Sequence, residues 1–204
     1  MPCDHVADFM AQDGGQLVVP VVGGNPTAMP IAVVPFGVEI AGLPPETDVA
    51  QVIAADFNRS GQFRALPRQD IVELPTRPAD VKYPTWNVLK QQYLVVGRVL
   101  DAEGGAYRIE FELMDVPKQS AVLRLAVGAR PNDLRGAAHQ IADLIYEKIW
   151  NVRGAFWTRI AYITATGVAP HGQYALMVAD SDGYNPQVVV RSREALLSPT
   201  WSPD

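Results

Sequence analysis

YLVVGRVL at residues 93–100, DAEGG at 101–105 and YRIEFELM at 107–114 decide the fold class. The first run is almost wholly apolar, and the second supplies a Gly-Gly turn. In the third, Tyr107, Ile109, Phe111 and Leu113 share one parity, while Arg108, Glu110 and Glu112 share the other. Side chains alternate across a strand, so this is a hairpin whose second strand has one buried face and one wet face. Leu123, Leu125 and Val127 carry the alternation into a third strand.

Downstream the period changes. Asn132 is expected to cap a helix whose apolar stripe runs Leu134, Ala138, Ile141, Ile145, Ile149, a spacing that suits one helical face. Gly154 is expected to end it. Upstream, Asp48 is an N-cap candidate with Gln51 three residues on, and Val49, Val52, Ile53, Ala54 and Phe57 recur at helical spacing before Asn58 and Gly61. IAVVPF at 31–36 reads as a buried strand that Pro35 ends or disturbs. Residues 64–84 are rich in proline and polar side chains and read as loop, with a short helix around 85–92. The helix stripe and the strand parities need one shared core, so the region is an α+β domain.

After Gly154 no further helix is visible. RIAYIT at 159–164, YALMV at 174–178 and QVVV at 187–190 are short strands separated by turn-rich segments at 167–172 and 180–183. They form an antiparallel meander. Three such strands alone are marginal in water.

Composition narrows the class. The chain has 204 residues, with 48% hydrophobic and 19% charged, which excludes a disordered protein. Its net charge of -5 argues against a partner gripped by its phosphates, so no nucleic acid is expected. The one cysteine, Cys3, allows no intrachain disulfide and no CxxC metal site. No apolar run approaches the roughly 20 residues that span a bilayer. Asp4, Asp8 and Asp13 interrupt the N-terminus, and no Lys or Arg precedes Arg59, so residues 1–15 read as a tail without targeting character.

Catalytic signatures are missing: no GxSxG, HExxH, GxGxxG or GxxxxGK[ST] occurs. His5, His139 and His171 fall in a tail, a helix and a loop, and His139 is expected on the side of its helix away from the stripe. The Asp180-x-Asp182-Gly183 element resembles a calcium loop, but positions one and twelve would be Val178 and Val189, which cannot ligate. It reads as a hairpin turn. Glu110 and Glu112 beside Arg108 read as a solvated strand face, and Trp157 and Trp201 as core or rim aromatics. No catalytic, cofactor-binding or metal-binding residue is expected.

Several ordered stretches resemble one family. They are PIAVVPF at 30–36, IAADFNRSGQF at 53–63, VVG at 95–97, GAFWTRIAY at 154–162, YALMVADSDGYN at 174–185, VVVRS at 188–192 and SPTWSPD at 198–204. Together they are similar to the TolB family of the Tol-Pal system. That resemblance implies an α+β N-terminal domain followed by an all-β propeller. On it the chain divides into a tail at 1–15, the α+β domain at 16–152, a linker at 153–158, and the first blade with the start of a second at 159–204. The propeller is then incomplete, and the chain is expected to be a truncated form lacking the family's signal peptide. The resemblance also implies a periplasmic adaptor rather than an enzyme, joining TolA to the outer-membrane lipoprotein Pal in cell division and envelope integrity. It places the TolA-contacting arm at Leu17, Val18, Val19, Val21 and Val22, an apolar segment suited to pairing with a partner sheet although Pro20 lacks an N–H. The competing expectation is the N-terminal part of a propeller hydrolase whose catalytic domain lies beyond Asp204.

Overall fold

The computed structural model describes residues 27–167 and 172–202. Strand β1 (Met29–Val33) lies inside a mixed sheet. After it come β2 (Gly37–Glu39), helix α1 (Val49–Ser60), β3 (Phe63–Ala65), helix α2 (Tyr83–Val88), β4 (Tyr93–Asp101), β5 (Tyr107–Asp115), β6 (Ser120–Ala129) and helix α3 (Leu134–Trp150). The strand order is β3-β1-β4-β5-β6. The pairs β3–β1 and β1–β4 are parallel, and β4–β5 and β5–β6 are antiparallel.

The IAVVPF run is not one strand. Pro35 has no N–H to give the ladder, so β1 stops at Val33 and the chain returns to the same edge of β4 as β2, again parallel. Opposite this break, Gly97 leaves space for Phe36: a Cβ on Gly97 would lie 2.6 Å from the Phe36 ring and 2.7 Å from the Glu110 carbonyl oxygen.

Helices α1 and α3 cover one face of the sheet. Ile31, Ile53, Phe57, Ile109, Phe111, Ile141 and Ile145 are all buried there in one cluster, and the expected stripe of α3 faces the strands. Helix α2 covers part of the other face. Its fully buried Trp86 packs with Ala32, Leu94, Val96 and Met114. Both faces of β4 are therefore dry over much of its length, which explains its unbroken apolar sequence. The wet face is what α2 leaves open. There Arg98 pairs with Glu110 at 2.7 Å and with Glu39 at 3.2 Å, and Arg124 pairs with Glu112 at 2.9 Å.

The caps of α1 are the expected ones. The Asp48 carboxylate accepts the Gln51 N–H at 3.1 Å, and Gly61 adopts the left-handed conformation at φ 68. Helix α3 differs at both ends. Asp133, not Asn132, holds the N-cap position, and its side chain makes no capping bond. Asn151 ends the helix in the left-handed region, its N–H bonded to the Glu147 carbonyl at 2.8 Å. Gly154 has another role: a Cβ there would lie 2.2 Å from the Asp143 carboxylate. The region 64–84 is not all loop, since β3 begins at Phe63 and single 3-10 turns span Arg68–Asp70 and Pro78–Asp80. The short helix starts two residues earlier than expected and ends before Leu89 and the left-handed Lys90. The third strand keeps its expected parity, with Phe111 opposite Leu125. Leu125 is nevertheless 41% exposed, because β6 is the sheet's edge.

Beyond α3 stand β7 (Arg159–Thr166), β8 (Gln173–Asp180) and β9 (Gln187–Ser192) in a separate antiparallel sheet ordered β7-β8-β9. This is the expected antiparallel meander. Ile160, Val188, Val189 and Val190 are exposed.

Candidate functional site

The segment 153–158 is fastened at several points. Asp143 of α3 accepts the N–H groups of Phe156 at 2.8 Å and Trp157 at 3.0 Å. Phe156 is buried, edge-on to Tyr146 and Phe57. Ser181, in the turn after β8, donates its hydroxyl to the Phe156 carbonyl at 2.6 Å. The β8–β9 turn thereby comes to rest on the α+β domain.

A buried ionic cluster lies at that seam. The apolar face of α1 carries Asp56 between Ile53 and Phe57, and Asp56 is fully buried. One of its oxygens pairs with Arg59. The other lies 2.7 Å from Nδ1 of His139 on α3. His139 is therefore not on a solvent side: it is 2% exposed, on a flank of α3 that meets α1 rather than the sheet. Asp182 reaches in from the β8–β9 turn. Its Oδ2 pairs with Arg135 and lies 3.7 Å from His139 Nε2, and its Oδ1 accepts the Tyr184 N–H at 2.9 Å. The Arg135 guanidinium stacks 4.0 Å from the Tyr184 ring centroid. Burial pushes the Asp182 carboxyl up, but the Tyr184 N–H and the charges of Arg135, His139 and Arg59 outweigh it and hold the group below the usual carboxylate range.

Above the cluster opens a cleft of about 730 Å³ between the two units, lined by Pro44, Pro45, Arg135, Trp157 and Tyr184 among others. Trp157 and Trp201 are 56% and 62% exposed, so neither is a core aromatic.

The Asp56–His139 contact has the acid–imidazole half of a hydrolytic triad, but the nearby Ser181 hydroxyl is committed to a carbonyl. Among the described residues no group of three His, Cys, Asp or Glu side chains is arranged to hold a metal ion, and no helix is long and apolar enough to cross a membrane. The cluster is a fastening between two units. Sequence reasoning missed it, although an acidic residue inside the apolar stripe of α1 was a usable signal. The arm residues Leu17, Val18, Val19, Val21 and Val22, together with His5 and His171, lie outside the described residues.

Comparison with known proteins places these units in order. Residues 17–122 match the TolB amino-terminal domain, and residues 146–204 match the TolB beta propeller domain. The chain is 59% identical over 195 residues to the Tol-Pal system protein TolB of Xanthomonas euvesicatoria pv. vesicatoria, and 58% identical over 196 residues to that of Xanthomonas campestris pv. campestris. Each alignment covers 96% of this chain and 44% of the relative, so the chain spans less than half the length of those proteins. The crystal structure of TolB from Acinetobacter baumannii superposes with a TM-score of 0.72 at 29% identity, over 85% of this chain and 41% of that one.

Proposed function

The chain belongs to the TolB family, and from that membership we propose that it serves as a non-enzymatic adaptor of the Tol-Pal system. It acts in the periplasm and links TolA to the outer-membrane lipoprotein Pal, in support of outer-membrane invagination during division and of envelope integrity. The observation that carries this reading is the succession of units. An α+β domain is fastened through a short segment to an antiparallel blade that presents exposed apolar side chains and an edge strand, β7. Such a molecule offers surfaces rather than an assembled reaction centre.

TolA is assigned to the segment Leu17, Val18, Val19, Val21 and Val22. An extended apolar segment adds to the edge of a partner sheet through its main chain, and alternate side chains fill pockets. Pro20 interrupts that pairing at one position, since it has no N–H. The test is deletion of residues 16–22 in the full-length protein, read by pull-down with purified TolA and, separately, with purified Pal. Loss of TolA capture with Pal capture unchanged is the expected result. Unchanged TolA capture would remove the arm from the proposal, and failure of the intact protein to capture either partner would remove the adaptor reading itself.

A further inference from the structure

Two features of His139 belong together. Its Nδ1 faces a fully buried carboxylate of its own domain, Asp56, at 2.7 Å. Its Nε2 faces the other unit, 3.7 Å from Asp182 Oδ2, and is buried without a hydrogen-bond partner. A carboxylate only accepts, so the Asp56 contact fixes the tautomer: Nδ1 carries a proton whether the ring is neutral or charged. The proton that comes and goes is therefore the one on Nε2. In the neutral ring a bare lone pair points at the Asp182 oxygen. In the charged ring an N–H points there.

We infer that His139 is a protonation-controlled latch, which grips the β8–β9 turn through Asp182 when Nε2 is protonated and slackens when it is not. The charged groups around the ring are Asp56 and Arg59 from α1, Arg135 one turn earlier on α3, and Asp182 from the turn. The adjoining cleft adds Glu46, Asp133, Arg159 and Asp180 at its lining. With a neutral ring the two carboxylates nearest it are balanced by the two arginines, and only Arg135 spans the seam. Protonation adds a second bond across the seam at the same carboxylate. Asp182 is held below the usual carboxylate range, so it stays ionised where histidine changes charge, and a response there reads the imidazole and not the acid. The rest of the fastening does not involve the imidazole: the Phe156 and Trp157 N–H groups on the Asp143 carboxylate and the Ser181 hydroxyl on the Phe156 carbonyl keep the turn within reach. The latch thus changes how firmly the blade sits, not whether it is attached.

The test follows amide exchange of Ser181, whose N–H donates to the Thr158 carbonyl at 3.0 Å, in the complete chain with correction for intrinsic exchange. The latch predicts exchange about tenfold slower near pH 5.5 than near pH 7.5, the change expected from one charge-assisted hydrogen bond gained. The imidazole signals of His139, followed through the same titration, should change in step with the exchange. Both His139→Gln and Asp182→Asn should bring the ratio close to one. The second variant leaves His139 and Asp56 in place, so it decides the matter even if His139→Gln fails to fold. A wild-type ratio near one, or a ratio that persists in Asp182→Asn, overturns the latch.

Discussion

Asp182 is the residue on which the two units meet, and its acid behaviour follows from its surroundings. Its folded carboxyl lies below the usual range, because the Tyr184 N–H and the neighbouring positive charges outweigh the burial that opposes them. A carboxylate depressed in the folded state contributes stability that is complete above its unfolded value, about pH 4, and is lost as pH falls through the lower folded value. The contribution of the Asp182 charge should therefore outlast any change of charge on the imidazole and fall away only as pH drops below about 4. Thermal unfolding of the wild type and of Asp182→Asn across that range checks it: the difference between them should be present at neutral pH and close in acid. The DSDG turn was legible in the sequence as a hairpin, and its partners were not. Pattern reading sees neighbours along the chain, while Arg135 and His139 lie 47 and 43 residues away, brought close only by the fold. Asp56 was the nearer clue. A carboxylate between Ile53 and Phe57 on an apolar face needs a buried partner, and a histidine on the other large helix could have been named as a candidate.

At the scale of elements, what was legible depended on how many faces an element buries. Helix α1 and strand β5 each show one dry face, so their periodicities, 3.6 and 2, stand clear in the sequence. Strand β3 has three residues and β2 has three, too few for any period to register, and both are held by parallel pairing to distant strands. The wide buried arc of α3 hid His139, because an apolar stripe marks the flank that meets the sheet and says nothing of the flank that meets α1. Helix ends were legible where a side chain does the capping. Asp48 was found because its carboxylate accepts the Gln51 amide, and it also pairs with Arg68. Asp48→Ala should lower stability by about 1 kcal/mol, the usual worth of such a cap. Chemical denaturation checks it, with a shifted midpoint and an unchanged slope. Helix α3 has no side-chain cap at its start, so its boundary could only be placed within a residue or two.

Over the whole molecule, the α+β domain and the blade differ in how they hold themselves. The first encloses two clusters, one on either face of its sheet, around strands such as β4 that are dry on both sides. Among the described residues the second is three strands with Val188, Val189 and Val190 exposed, and three strands by themselves have little stability. Its order must then come largely from the seam: the Asp143 carboxylate on the linker amides, the Ser181 hydroxyl, and the Arg135–Asp182–Tyr184 group. Arg135 is the only one of these that both pairs with the turn's carboxylate and stacks on its aromatic ring, and it is not one of the residues filling the core beneath α3. Arg135→Ala should therefore release the blade and leave the domain alone. Amide exchange in β8, at Met177 and Ala179, should rise about tenfold or more, in keeping with the loss of a charge-assisted pair across a partly buried seam. Exchange at Ile109 and Phe111 in β5 should stay at the rate set by global unfolding. If both sets of amides accelerated together, the two units would be opening as one cooperative body, and the blade would owe its order to something other than this seam.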